Sequence, residues 1–393
     1  MELNGIKQTN YNISDIAGHE KQLGFLNGLF FHGRMPSGLL FYGQKNIGKR
    51  LAATAFAASV LCREYALYAG KTGAEAQPLP APSSVSSDGG IRLSFCGKCP
   101  SCAGVLTGTS QNLMLVEPSG NSIKVENIHA AGSFLGLAPA FGGHRFVIID
   151  GAEAMNAASS NALLKMLEEP AEKTVFILIV SNAGMLLPTV ISRCLLLGFG
   201  PVPDRVLSDV FRAKFPALEE GELKLYLKLA GGSYSGFYGL MEGKYLEKRN
   251  FLINEVFNKL FKGLDGEHAY DNPYDMSDNF NAGSDREPKK GKNEKGAKDA
   301  AEDKSAIFET ILIILRDIYI YRMTKNEKLL YNEDMAEEIK RFAVNSDIGP
   351  KSLAQMIETT VSHMEKISGY NLNKAITSDS YFSDLLFLAR NNS

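Results

Sequence analysis

The sequence contains no tryptophan, so any intrinsic fluorescence comes from tyrosine. It has no excess of either charge. Its 42 Lys and Arg against 44 Asp and Glu leave a formal net charge of -2, which removes any whole-chain electrostatic case for nucleic-acid binding. DNA contact is left to a local patch or to partner proteins. No stretch approaches the ~20 consecutive apolar residues that a membrane span needs. The chain does not open on an apolar run flanked by basic residues, so no signal peptide is expected and a cytoplasmic location is. Cysteine is scarce, with 5 residues, and Cys96, Cys99 and Cys102 sit close together. An odd, clustered set in a chain without an export signal favours metal binding over disulfides.

What is present is ample for packed domains: 393 residues, 45% of them hydrophobic, allow two or three. After a polar start, Ile13 to Phe31 is a short amphipathic stretch and Gly38 to Tyr42 an apolar run that reads as a buried strand. A glycine-punctuated loop, Gly43 to Lys49, leads into the Ala- and Leu-rich helical pattern Leu51 to Leu61. Phe146 to Asp150 and Val175 to Val180 are further apolar strands, with a helical pattern from Ala157 to Glu168 between them and Pro170 closing it. Strands alternating with helices predict an α/β domain built on a mainly parallel sheet. From about residue 203 the pattern becomes helical. Two segments look like insertions. Residues 69–92 are rich in Gly, Ala, Pro and Ser, and residues 266–304 are polar, charge-dense and expected to be disordered. Ala306 to Tyr321 and Ser352 to Ile367 predict a separate helical C-terminal region.

The loop Gly43-Gln44-Lys45-Asn46-Ile47-Gly48-Lys49-Arg50 matches a phosphate-binding loop at every fixed position except the last. Strand–loop–helix is the context that motif requires. Gly43 and Gly48 let the backbone wrap a phosphate, and Lys49 would reach the outer phosphates of ATP. The last position calls for Ser or Thr, whose hydroxyl holds magnesium, but Arg50 offers no acceptor and repels a cation. A plain glycine turn with no ligand is the alternative. Asp150, ending the second strand, is placed to help hold magnesium. The next residue, where a hydrolysing enzyme has a glutamate that orients water, is Gly151. Glu153, three residues past Asp150, is expected to point elsewhere. Losing both the metal hydroxyl and the water-positioning acid should cost many powers of ten in phosphoryl transfer.

Cys96-x2-Cys99-x2-Cys102 has metal-ligand spacing and needs a fourth ligand, for which Cys62 at the end of the first helix is the natural candidate and Cys194 the other. Four thiolates leave no open coordination position, so the expected zinc is structural. An iron–sulfur site, or three unliganded thiols, are the alternatives.

Asn161-Ala162-Leu163-Leu164-Lys165-Met166-Leu167-Glu168-Glu169-Pro170, then Leu187-Pro188-Thr189 and Ser192-Arg193-Cys194, together with the loop and the cysteine module, resemble clamp-loader subunits of bacterial DNA polymerase III. The resemblance is close over about residues 13–200 and weaker beyond. It implies an α/β AAA+ (P-loop NTPase-like) core over 1–200, with a zinc module over about 62–102 carrying the 69–92 insertion. A helical lid over 201–250 and an all-α collar over 251–393 would follow. It also implies a hetero-pentameric ring with other loader subunits that acts on a sliding clamp and primed DNA, with no membrane involved. Arg193 matches the arginine that reaches into a neighbour's ATP site. Arg50 and Gly151 place the chain in the non-hydrolysing delta-prime branch rather than the ATPase motor branch, which remains the alternative. Ala230-Gly231-Gly232-Ser233 resembles the start of the lid motif that delivers a sensor arginine, yet Tyr234-Ser235-Gly236-Phe237 follow without one. Ser181-Asn182 fall in the sensor region after the third strand.

Overall fold

The computed structural model describes residues 16, 18–63, 95–120, 122–137, 143–242, 244–262, 294–345, 348–369 and 374–390. The insertion expected at 69–92 lies outside them, as does 266–293 of the second one. The chain divides into two compact units, 1–216 with 231–235, and 217–230 with 236–393. The boundaries expected at 200 and 250 do not coincide with that division.

The first unit is built on a five-stranded parallel sheet: β1 Gly38–Tyr42, β2 Leu113–Val116, β3 Arg145–Asp150, β4 Thr174–Val180 and β5 Leu195–Gly198, in the spatial order β2-β3-β4-β1-β5. This is the parallel α/β core read from the alternating pattern. Two strands escaped that reading, β2 and β5. Each has four residues, too few for a period to show, and β5 is an edge strand with Leu195 and Leu196 exposed.

A parallel sheet needs a crossover after every strand, so helices cover both faces and the strands read as continuous apolar runs. Alternate side chains of β4 enter opposite cores. Val175, Ile177 and Ile179 pack with α1 (Glu20–Phe31) and α2 (Lys49–Leu61). Phe176, Leu178 and Val180 pack with α4 (Val125–Gly136) and α5 (Ala157–Glu168); α3 is the short helix Pro100–Thr107. The small side chains Ala52, Ala53, Ala55, Ala57 and Ala58 are all buried, which fits α2 lying tight against the sheet. Register then fixes the site. Tyr42 pairs with Val180 and Asp150 with Ile179, so the loops after β1, β3 and β4 leave from one edge. Ligands of open α/β sheets bind at that carboxyl edge.

Helix α6 Pro188–Ile191 lies between β4 and β5, and three helices follow the sheet: α7 Asp204–Lys214 in the first unit, α8 Glu220–Ala230 in the second, and α9 Tyr234–Glu242. The second unit continues with α10 Tyr245–Leu252, α11 Asn258–Lys262, α12 Glu294–Thr324, α13 Ala336–Asn345, α14 Pro350–Gly369 and α15 Lys374–Arg390. Helix α12 presents Phe308, Ile311, Leu315 and Ile318 to one core with Phe342, Leu353, Tyr381 and Phe382, at the three-and-four spacing of a buried helical stripe. It corrects one expectation: residues 294–304, read as disordered, are helical. Among the described residues no helix is long and apolar enough to cross a membrane.

Beside that core lies a polar knot. The buried carboxylate of Asp317 accepts from the backbone N–H groups of Tyr331 and Asn332 and from Asn332 Nδ2, each at 2.9 Å. Asn332 Oδ1 in turn accepts from Tyr245 and Arg249, both at 3.0 Å, and Arg249 forks onto Asp334 at 2.9 and 2.7 Å.

Candidate functional site

The loop after β1 can form only with glycine at its first position. At Gly43, φ is +141°, and a Cβ would stand 2.0 Å from the carbonyl oxygen of Phe199. At the far end Gly48, φ +100°, caps α2. Between them Lys49 is buried, and its ammonium donates to the carbonyl oxygens of Gly43 and, at 2.6 Å, Gln44. The lysine that would bind phosphate instead closes its own loop. Burial pushes its pKa down, while Asp150 and Glu153 act in the opposite direction. The loop is pinned from two further sides. His19 Nε2 meets the Ile47 carbonyl at 2.7 Å, and Ser233 Oγ donates to the Asn46 carbonyl at 2.7 Å. Thus Ser233 holds the apex of the loop, and beside it the Gly232 carbonyl accepts from Val202 N–H at 3.0 Å.

The position expected to hold magnesium is bridged by a side chain. The Arg50 guanidinium donates to Glu117 and lies 3.4 Å from Asp150 Oδ2. Burial raises the pKa of Asp150, Arg50 lowers it, and Glu117 adds to the rise. A divalent cation arriving here must displace a fixed monovalent one. Glu117 was missed in the sequence. The signal was there, an acid directly after the apolar run Leu113 to Val116, on a strand paired with β3.

Gly151 takes a left-handed conformation, φ +70° and ψ 41°. Glu153 follows on a short 3-10 turn, Ala152–Ala154, and is not idle. Its Oε1 accepts from Ser181 Oγ at 2.8 Å and from Ser181 N–H at 3.2 Å, tying the end of β3 to the end of β4. Gly43, Gly48, Lys49 and Asp150 lie near one another at the loop after β1. Arg193 is held apart from them, in the turn between α6 and β5. Its guanidinium pairs with Glu168 at 2.7 Å and donates to the Thr189 carbonyl at 3.0 Å.

The cysteine module folds as a second site. Cys99 caps α3, with Pro100 at the first helical position, and accepts from the Cys102 N–H. Cys96 accepts from the Cys99 N–H at 3.2 Å, and Cys62 from the Cys96 N–H at 3.4 Å; burial raises the Cys96 pKa, and the backbone donors to its sulfur oppose that rise. The sulfurs of Cys62, Cys96, Cys99 and Cys102 all lie within 4.8 Å of one another, with Cys99–Cys102 at 3.3 Å and Cys96–Cys102 at 3.9 Å. Tetrahedral zinc with Zn–S bonds of about 2.3 Å requires sulfurs about 3.8 Å apart, so the set fits that ion. Cys194 is not part of it. It is buried in the core on the other face of the sheet, where burial pushes its thiol pKa up to about 11.

The family model described as DNA polymerase III, delta subunit, matches residues 83–203. DNA polymerase III subunit delta' of Pseudomonas aeruginosa is 33% identical over 197 residues, 49% of this chain and 52% of that protein. The Bacillus subtilis subunit delta' is 32% identical over 176 residues, 45% and 46% of the two chains. Subunit tau of Bacillus subtilis is 23% identical across 89% of this chain and 57% of its own length. The chain spans about half the length of the curated relatives it matches. Among solved structures, a DNA polymerase III gamma subunit-related protein from Thermotoga maritima aligns with a TM-score of 0.40 and 18% identity, covering 93% of this chain and 99% of that one.

Proposed function

We propose, from the premise that this is a delta-prime-like clamp-loader protein, that it serves as a non-hydrolysing subunit whose Arg193 acts on ATP held by a neighbour. The observation that carries the reading is the Arg50 bridge between Glu117 and Asp150. A site that supplies its own cation from a side chain, and folds its lysine onto its own backbone, is not arranged to position magnesium and a triphosphate. Phosphoryl transfer depends on that positioning and on charge neutralisation. Arg193, about a third exposed outside that site and paired with Glu168, lies where another molecule can reach it.

The partners in this proposal are the other subunits of a hetero-pentameric loader, with the sliding clamp and primed DNA engaged through the assembly in the cytoplasm. Helices α7 to α10 supply the lid surface and α11 to α15 the collar. Cys62, Cys96, Cys99 and Cys102 hold a structural zinc that cross-links the end of α2 to the start of α3. The zinc has no open position for chemistry.

Lys49 and Asp150 are retained, which keeps an active ATPase subunit as the second reading. Phosphate release by the purified chain with magnesium and ATP separates the two. The proposal expects no turnover alone and Arg193-dependent turnover once an ATPase neighbour is added. Turnover by the chain alone, abolished by Lys49→Ala, would assign it to the motor branch.

A further inference from the structure

Arg193 is a long side chain at a surface turn, and such a group is useful to a reaction only if its fork is aimed before the transition state forms. The aim here comes from α5. Its last residue, Glu168, holds Arg193 Nη2 at 2.7 Å, while Nη1 donates to the Thr189 carbonyl at 3.0 Å and to Ser192 Oγ at 3.4 Å. These contacts use three of the guanidinium N–H groups and leave the others for an incoming anion. Below them the turn is seated on β1. A Cβ at Gly38 would meet the Arg193 carbonyl oxygen at 2.9 Å, Cys194 Sγ at 3.0 Å and Leu167 Cδ2 at 3.2 Å, so the turn and the end of α5 approach closely only over glycine.

We infer that Glu168 is the positioning residue for Arg193: it fixes the guanidinium in the orientation that meets a neighbour's transferring phosphate. The inference rests on the proposed trans role of Arg193. Glu168 touches no nucleotide and acts through the arginine. Its effect therefore belongs in the transition state, as a fall in kcat with KM for ATP unchanged.

The test is phosphate release from magnesium ATP by the assembled loader, at saturating concentrations of this chain, with Glu168→Ala, Glu168→Gln, Arg193→Ala and the Glu168→Ala/Arg193→Ala pair. Glu168→Ala is expected to lower kcat at the neighbouring site about ten-fold, in the range that misplacing a positioned group costs. Glu168→Gln keeps an acceptor and loses less. The double variant matches Arg193→Ala alone, because the carboxylate has nothing left to position. A normal or faster rate for Glu168→Ala overturns the inference, the faster rate showing a restraint instead. A fall in rate that persists in the Arg193→Ala background overturns it as well, as a general structural effect. In each of these cases a slow Arg193→Ala leaves the trans role standing. If Arg193→Ala hydrolyses normally, the proposed function and this inference both fall.

Discussion

At the residue scale the candidate nucleotide site is defined by replacements that fit one another. Arg50 lies between two carboxylates, and Asp150, raised by burial, depends on it as a counter-ion. A carboxyl whose folded pKa is raised penalises the folded state as pH rises through that value, because folding then requires a charge the site disfavours. Removing Arg50 raises it further. Arg50→Ala is therefore expected to destabilise the protein by ~1 kcal/mol at pH 7, with the loss shrinking as pH falls toward the carboxylate range. Urea denaturation at pH 7 and pH 4.5 measures this, and equal losses at both would contradict it. Gly151 is a second fitted replacement. Its left-handed backbone disfavours any side chain, and a Cβ there would press on Pro118 at 3.3 Å. Restoring the acid by Gly151→Glu is thus expected to cost about 1–2 kcal/mol of stability and to restore no turnover. Hydrolysis gained by that variant would show that the loss of catalysis rested on one side chain.

At the scale of elements, the strand–loop–helix unit and the cysteine spacing were legible because each carries its own geometry in fixed intervals. The α3 turn brings Cys99 and Cys102 together by helical spacing, and Cys62 arrives because α2 ends beside it. If the sulfurs hold zinc, chelation or Cys99→Ser removes the cross-link. Folding of the module should then weaken by roughly 5 kcal/mol or more. Loss of amide-exchange protection over Pro100–Thr107 on treatment with a chelator reports it, and unchanged protection would mean the module stands without metal. Less was legible where the signal was short or mixed. Strands β2 and β5 were too brief for a period, and so Glu117 at the end of β2 went unnoticed. The start of α12 was taken for disorder because it is charged, yet Glu294 to Lys304 is dominated by Ala, Glu and Lys, which are good helix formers despite their polarity. Glu168 could not be read at all, since its meeting with Arg193 is made by the close seating of α5 over Gly38.

At the scale of the whole molecule, two units carry different kinds of order. The first holds the sheet, the bridged candidate nucleotide site and Arg193. The second is a helical body whose core is joined to the Asp317–Asn332–Arg249 knot. Breaking a buried, fully hydrogen-bonded carboxylate leaves several donors without partners. Asp317→Ala is expected to destabilise the second unit by about 3 kcal/mol, seen as a lowered denaturation midpoint. Little change would mean that the knot is dispensable to that core.

The central claim is that this chain's own nucleotide site is idle while its arginine serves another. It is tested most directly by comparing two variants in one assembly. Phosphate release is measured for a pair made of this chain and an ATPase loader subunit, with Lys49→Ala or Arg193→Ala in this chain and folding checked by thermal denaturation. The account predicts that Lys49→Ala leaves turnover within about two-fold, while Arg193→Ala lowers it by roughly 10³-fold at the shared site, the scale of a lost trans arginine. Turnover lost with Lys49→Ala and kept with Arg193→Ala would contradict it.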